Sequence, residues 1–435
     1  MNGMKTGTER GPTGGAAEGG REARAAVGCA IVLAVGFGSC SIINAAAPSI
    51  TEGIGASLVE YSIGPMLATL AAFLGSLVGA RVIDAITPRR CLLLGSLCVA
   101  AVMAIASVAT APWVWYAANI LNGVVLALGA QAAAAGVVAE FYGERAPSVF
   151  GAVIGGMAFI VAAEVMLESV LLASFDYRTV FLIFAAYSLA AGLFANLVLI
   201  GRPSRGSASG AVDLEVPEGA GSGAGITLGQ ALRSPVLYLF FLAMVLAAFP
   251  YQGYSAYAAY YFTAGGLDAS LSAALLSGFA LFTALFSLGS GVVARRFGGP
   301  FLTAALFLGF AGGIGLMLWW GSIGGMPLVL SSVVLCSLIG LVQALPALLI
   351  PQIFGMRDYT AINAVGMAGM HGGSTVLFIV ISVLMEALGY DAGFLMLAGC
   401  ALGAMALFIV CAMASPLRRM KRNAIAQTVE VVELS

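Results

Sequence analysis

The chain has 435 residues, of which 61 % are hydrophobic and 9 % charged, and its mean hydropathy is +1.02. A soluble fold of this length carries about 25 % charged residues to cover its surface, so the composition excludes one and implies a polytopic membrane protein. The net charge of -1 comes with no basic stripe, which argues against a nucleic-acid partner.

In chain order, residues 1–24 are rich in Gly and Ala with scattered charge, and a disordered cytoplasmic tail is expected there. The apolar run from Ala25 to Pro48 is too long for a signal-peptide core of about 7–15 residues. It reads as an uncleaved first span. A spanning helix needs about 20 mostly apolar residues. Breaks at charges, Pro and Gly then give twelve segments: 25–48, 61–82, 90–110, 113–138, 148–172, 178–200, 235–260, 270–293, 301–320, 327–350, 361–385 and 391–414. Runs this long in lipid must be helices, since the backbone has no water to bond. The expected fold is an all-α polytopic membrane protein of twelve transmembrane helices. Two pseudo-symmetric six-helix bundles, 25–200 and 235–414, are joined by a linker at 201–234 and followed by a tail at 415–435.

An even span count puts both ends on one side. With the termini cytoplasmic, 18 of the 19 Lys and Arg fall inside, and only Arg178 falls outside. The positive-inside rule therefore places both termini in the cytoplasm of a multi-pass plasma-membrane protein. The stretch GRPSRGSASGAVDLEVPEGAGSGAG, from Gly201, has linker composition. The seven Cys lie in or beside apolar runs without a C-x-x-C, so they read as packing residues. A single His excludes a multi-His metal site.

The halves repeat. A shift of 212 lays Phe141–Arg145 on Ile353–Arg357, each after the fourth span of its half. A shift of about 211 brings GARVIDAITPRR, from Gly79, beside GVVARRFGGP, from Gly291. Two parallel six-helix repeats with a linker between them are a transporter pattern, with the solute site between the halves.

At this point the chain resembles the major facilitator superfamily over residues 25–414. The loop after span 2 reads Asp84-Ala85-Ile86-Thr87-Pro88-Arg89-Arg90, similar to a D-x-x-G-P-R-R signature with Thr87 in the Gly position and the leading Gly one place early at Gly79. Loop 8–9 keeps Arg296, Gly298 and Gly299, with Arg295 where an acid would stand. FDYRTVF, from Phe175, and FGMRDYTAIN, from Phe354, resemble motifs of the branch holding monocarboxylate transporters and oxalate/formate-type antiporters. The resemblance implies a carrier with no cofactor, driven by an ion or solute gradient, whose partners are a small-molecule substrate and the bilayer. A monomer is expected.

The resemblance also implies that the charged loops latch the halves on the cytoplasmic side. Glu140, at the end of span 4, is the natural partner for Arg89 or Arg90. The candidate gate comprises Asp84, Arg89, Arg90, Glu140, Arg145, Arg295, Arg296 and Arg357. Snorkelling charges of the short loops are the plainer reading of the Arg residues.

Ionisable groups inside spans are functional candidates by default. His371 in span 11 and Glu164 in span 5 are candidate proton carriers. Against this, His371 could be a neutral residue at a Gly-lined helix contact. Glu168 shares the face of Glu164 but sits near the outer boundary, where it is expected to be wet. The resemblance lines the pathway with spans 1, 4, 7 and 10. The candidate substrate groups there are Asn44, Asn119, Asn122, Tyr251, Gln252, Tyr254, Tyr257 and Gln343. Ser39, Ser41, Gln131, Ser332 and Ser337 lie in the same spans. An interfacial aromatic belt accounts for Tyr260 and Tyr261.

No Lys or Arg lies deep in any span, which disfavours dianions, whose desolvation would go uncompensated. A monocarboxylate or a neutral solute fits. The expected function is a secondary transporter of a small organic solute, coupled to protons. An exporter of the same fold, multidrug efflux included, is the first alternative and a non-transporting receptor the second. An enzyme is not expected, since no nucleophile and base converge.

Overall fold

The structure, a computed structural model, describes residues 12–127, 130–142, 146–201, 225–355 and 357–416. The first half contains α1 (Pro12–Ala45), the short α2 (Ala47–Ile54), α3 (Leu58–Ile86), α4 (Pro88–Ser107), α5 (Pro112–Ala127), α6 (Ala130–Tyr142), α7 (Ala146–Leu172) and α8 (Tyr177–Phe194). A π turn, Ala195–Leu199, ends it. The short α9 (Leu228–Leu232) leads into α10 (Pro235–Ala264), α11 (Ala269–Phe297), α12 (Gly299–Ile323) and α13 (Met326–Cys336). A 3₁₀ segment, Ser337–Ala344, connects α13 to α14 (Leu345–Ile353), and α15 (Tyr359–Leu388) and α16 (Tyr390–Met413) complete the chain.

Eleven of these helical stretches are long and apolar enough to cross a bilayer. The twelfth crossing is α5 followed by α6, which flank residues 128–129. The fold is therefore the all-α twelve-span architecture that the apolar periodicity implies. Helix ends fall within a few residues of the expected breaks, because Pro sets them: Pro88, Pro235, Pro300 and Pro327 stand at the first turns of α4, α10, α12 and α13. The exception is α1, which is helical from Pro12, so residues 12–24 of the expected tail extend the first helix.

Both halves begin and end on one face, termed the linker face; the opposite face, which carries α2, is the distal face. The halves meet along two seams, α3 against α15 and α7 against α11, and α1 also touches α10. Small residues permit close approach inside each half, as usual where lipid removes the hydrophobic drive between helices. Gly123 of α5 lies against the Ala68 carbonyl of α3, and Gly373 of α15 against the Val245 carbonyl of α10.

Hydrogen bonds that cross between the halves, among described residues, lie at mid-depth or toward the distal face. Val59 N–H donates to Glu386 (2.9 Å), Asn44 to Ser255 (3.1 Å), and Ser277 to the Ala162 carbonyl (2.9 Å). The Tyr260 hydroxyl donates to the Ala47 carbonyl (2.9 Å) and also contacts the Thr51 hydroxyl. Thr375 donates to Thr69 (3.2 Å) at about mid-depth.

On the linker face the chain entering the second half is clamped to the turn between α14 and α15. Ile226 N–H donates to the Phe354 carbonyl (2.9 Å), and Leu228 N–H to the Asp358 carboxylate (2.7 Å). A capping box of Thr227 and Gln230 then starts α9.

Candidate functional site

The seam groups come from α1, α5, α10 and the 3₁₀ segment. Asn122 is buried; its carbonyl accepts from Ser39 (3.3 Å) and its amide donates to the Cys40 sulfur (3.4 Å). Helix α1, which carries Ser39 and Cys40, touches α10, which carries Tyr251. The Gln343 amide donates to the Tyr251 hydroxyl at 2.5 Å. Ser39, Cys40 and Asn122 thus form one polar cluster in the first half and Tyr251 and Gln343 another in the second, both near the middle of their spans and carried in part by the touching helices α1 and α10. Every member is uncharged, and each can exchange its present bond for one to a solute. Gln252 is half-buried on the next position and makes no hydrogen bond among the described residues.

The tyrosines of α10 do not form one stripe. The Tyr257 hydroxyl lies 2.6 Å from that of Ser62 in the first half and donates to the Phe378 carbonyl (3.1 Å), so it stands at the distal closure. Tyr254 is instead buried in the second half's core among Phe279, Phe310 and Phe394. Its expected place on the pathway is corrected: helix α10 is apolar on every side, so periodicity alone could not orient it. Tyr260, expected in an aromatic belt, bonds across the halves, whereas Tyr261 faces inward and donates to Asp391 (3.0 Å). Asn119 also leaves the pathway. Its amide donates to the Trp115 carbonyl (3.0 Å) and packs on Gly64 of α3. Sequence reading missed Ser62, Thr69, Ser255, Thr375 and Glu386. Single hydroxyls in apolar helices give no signal of which neighbour they meet.

The span acids sit inside the first half. Glu164 is 5 % exposed; one oxygen accepts from Tyr187 of α8 (2.8 Å), and the other, unpartnered, abuts Gly38 of α1. Glu168 is 0 % exposed with neither oxygen bonded. That corrects the expectation of a wet carboxylate: the helix ends at Leu172 as expected, but the protein covers its last turns and Glu168 with them. His371 is half-buried on α15, one turn from Thr375, on the seam with α3. Glu164 and His371 therefore serve different elements: α7 packs on α1 and α11, α15 on α3 and α10. No group of three His, Cys, Asp or Glu that could hold a metal ion occurs among the described residues.

At the linker face Arg89 pairs with Glu140 at 3.5 Å and lies over the Phe141 ring. Both partners belong to the first half. Arg90, Arg296 and Arg357 are exposed, and Arg296 rests on Phe297. Arg145 lies outside the described residues, as do the side chains of Asp84, Gln131 and Arg295. The turn at Thr87 has φ 85° and ψ 143°, a backbone that favours Gly. Thr therefore occupies the position where the signature loop carries Gly.

The molecule thus has two six-helix halves, paired seams between them and polar clusters near mid-depth. Residues 29–350 match the family described as the Major Facilitator Superfamily. The chain belongs to that superfamily. Solved superfamily-like structures overlay most of its length. The nucleoside transporter NupG, in a mutant form, covers 90 % of this chain and 99 % of its own, at 13 % identity and a TM-score of 0.71. A second NupG structure gives 14 %, coverage of 90 % and 98 %, and 0.69. A bacterial homolog of the human lysosomal transporter Spinster, inward-facing and unoccupied, gives 14 %, 91 % and 96 %, and 0.63. At such identities these likenesses establish the fold alone. None of the curated proteins matches.

Proposed function

We propose that this superfamily member is a secondary active transporter that moves a small organic solute across the cytoplasmic membrane by alternating access, coupled to protons. One observation carries the reading. Uncharged polar clusters of both halves lie near mid-depth on helices that touch, while the described bonds between the halves lie at that depth or toward the distal face. A site between two halves that are bonded from mid-depth to one face, with no described bond on the other, is what rocking of one half against the other needs. The positive-inside count makes the linker face cytoplasmic, so the distal bonds are the external closure.

The sequence resemblance points to a monocarboxylate, held by Tyr251, Gln343 and Asn122 with His371 as the cation. A neutral polar solute is the second reading, favoured by the uncharged lining and by the likeness to a nucleoside transporter. Export and multidrug efflux use the same geometry and differ in direction.

The test is thermal stabilisation of the purified protein by monocarboxylates, dicarboxylates, nucleosides, amino acids and amphipathic drugs at two pH values, followed by uptake in proteoliposomes. A ligand at 100 times its Kd adds about 2.7 kcal/mol of stability. The expected result is a shift with a monocarboxylate or a nucleoside, and accumulation that a protonophore abolishes. Tyr251→Phe, which removes the bond to Gln343, is expected to cut uptake by about tenfold, the equivalent of about 1.4 kcal/mol. No shift and no flux with any member of the panel would reject transport of these solute classes.

A further inference from the structure

Glu164 and Glu168 stand four residues apart on α7, which places their side chains on one face about 5–6 Å apart. Three of their four carboxyl oxygens have no hydrogen-bond partner and no access to solvent. Gly38 of α1 makes room for one of them, and any Cβ there would collide with the Glu164 carboxyl. An ionised carboxylate in such surroundings is expensive unless a cation compensates it.

Among the described residues, no cation of the elements packed against α7 is paired with either carboxyl. On α8 the facing titratable group is Tyr187, which donates to Glu164. Arg178, at the distal start of α8, donates instead to the Gly53 and Ala109 carbonyls. On α1 the thiols are Cys29 and Cys40, the latter engaged by Asn122, and Arg21, Glu22 and Arg24 lie at the linker end, both arginines exposed. On α6 Glu140 and Tyr142 lie at the linker end, where Glu140 pairs with Arg89. On α11 Arg296 is exposed at the linker end.

We infer that Glu164 and Glu168 form a proton-binding pair buried inside the first half, separate from the solute groups and divided from them by α1. This rests on the reading of the chain as a proton-coupled carrier. Each carboxyl binds a proton as COOH and releases it as H⁺ and COO⁻. The Tyr187 O–H is the donor that the structure places on Glu164, and Glu168 has none. Helix α1 touches both sites. Gly38 meets Glu164, the next residue, Ser39, bonds Asn122, and Asn44 further along bonds Ser255 of the other half. A charge that forces donors toward Glu164 therefore displaces the helix that carries the solute contact and the distal closure. Proton and solute need not compete for one site.

Two measurements on the full chain test this. The first is pH-difference infrared spectroscopy of the purified protein, which reads the C=O stretch of a protonated buried carboxyl without any solute. The expected band is present at neutral pH and disappears in Glu164→Gln/Glu168→Gln, with the single variants removing part of it. Absence of the band, together with stabilisation of the wild type by sodium chloride but not by potassium chloride, would overturn the proposal in favour of a metal-ion site. The second uses proteoliposomes and the solute that the thermal panel identifies. One unit of pH gradient can drive about tenfold accumulation per proton. Glu168→Gln is expected to lose that accumulation while keeping solute exchange at zero gradient, and Glu168→Asp to restore part of it. Wild-type accumulation by the double Gln variant would overturn the coupling. If no panel solute moves, the transport reading fails, while the infrared result still decides whether the pair binds protons.

Discussion

Thr87 and Gly298 stand at equivalent turns, each just before the third long helix of its half, and they share one backbone conformation. Thr87 has φ 85° and ψ 143°, and Gly298 φ 89° and ψ 160°. The same turn is thus built with strain in the first half and without it in the second. The contrast extends along both halves. Glu140 meets Arg89 across the linker face of the first half; Gln352, at the equivalent place, packs on Gly299. The fifth long helix of the first half buries two carboxyls, one of them against Gly38 of α1, while its counterpart α15 carries a half-buried His371 on the seam. Duplication supplies the scaffold, and the charged and strained groups mark where the copies have diverged.

The largest expected effect tests what the halves still share. Val at Gly123 or at Gly373 would drive a side chain into a neighbouring backbone carbonyl, which cannot swing aside. Each substitution is expected to cost about 3 kcal/mol or more, read as lost monodisperse yield and a lower apparent Tm in detergent. Tolerance of Val at both positions would show that neither half depends on these close approaches. Next comes Gly298→Thr. Space is open around a Cβ there, so the cost is conformational and is expected at about 1–2 kcal/mol. The reciprocal Thr87→Gly should gain about 1 kcal/mol, the relief of φ strain less the added freedom of the unfolded chain. A lower Tm for Thr87→Gly would show that the Thr side chain contributes more than its backbone costs. The smallest effect belongs to Arg89→Ala. The pair with Glu140 is partly exposed, and about 0.5 kcal/mol is expected.

The bilayer made the fold legible. Twelve apolar runs, Pro at their starts and basic residues at one set of ends leave little choice of architecture. The Arg89–Glu140 pair was legible for the same reason, since both ends of that contact are set by where spans stop. The site was harder. Asn122, Tyr251 and Gln343 could be proposed from their polarity, but Tyr254 and Asn119 turn into the cores of their own halves. A helix that is apolar all round carries no mark of which side meets the partner half. Glu168 was misread because a covered helix end and a wet one have the same sequence.

The 3₁₀ segment Ser337–Ala344 has a mechanical consequence. It spans eight residues and holds Gln343 near its end. A 3₁₀ helix rises about 2.0 Å per residue against about 1.5 Å for an α-helix, with three residues per turn rather than 3.6. Rewinding those residues as α would shorten the crossing by about 4 Å and turn its far end by about 160°. The segment is thus a screw thread cut into an otherwise stiff rod. A small change in its pitch would swing the Gln343 amide off the Tyr251 hydroxyl and draw the linker-face end of the rod, with the clamped chain at Phe354, toward the membrane centre.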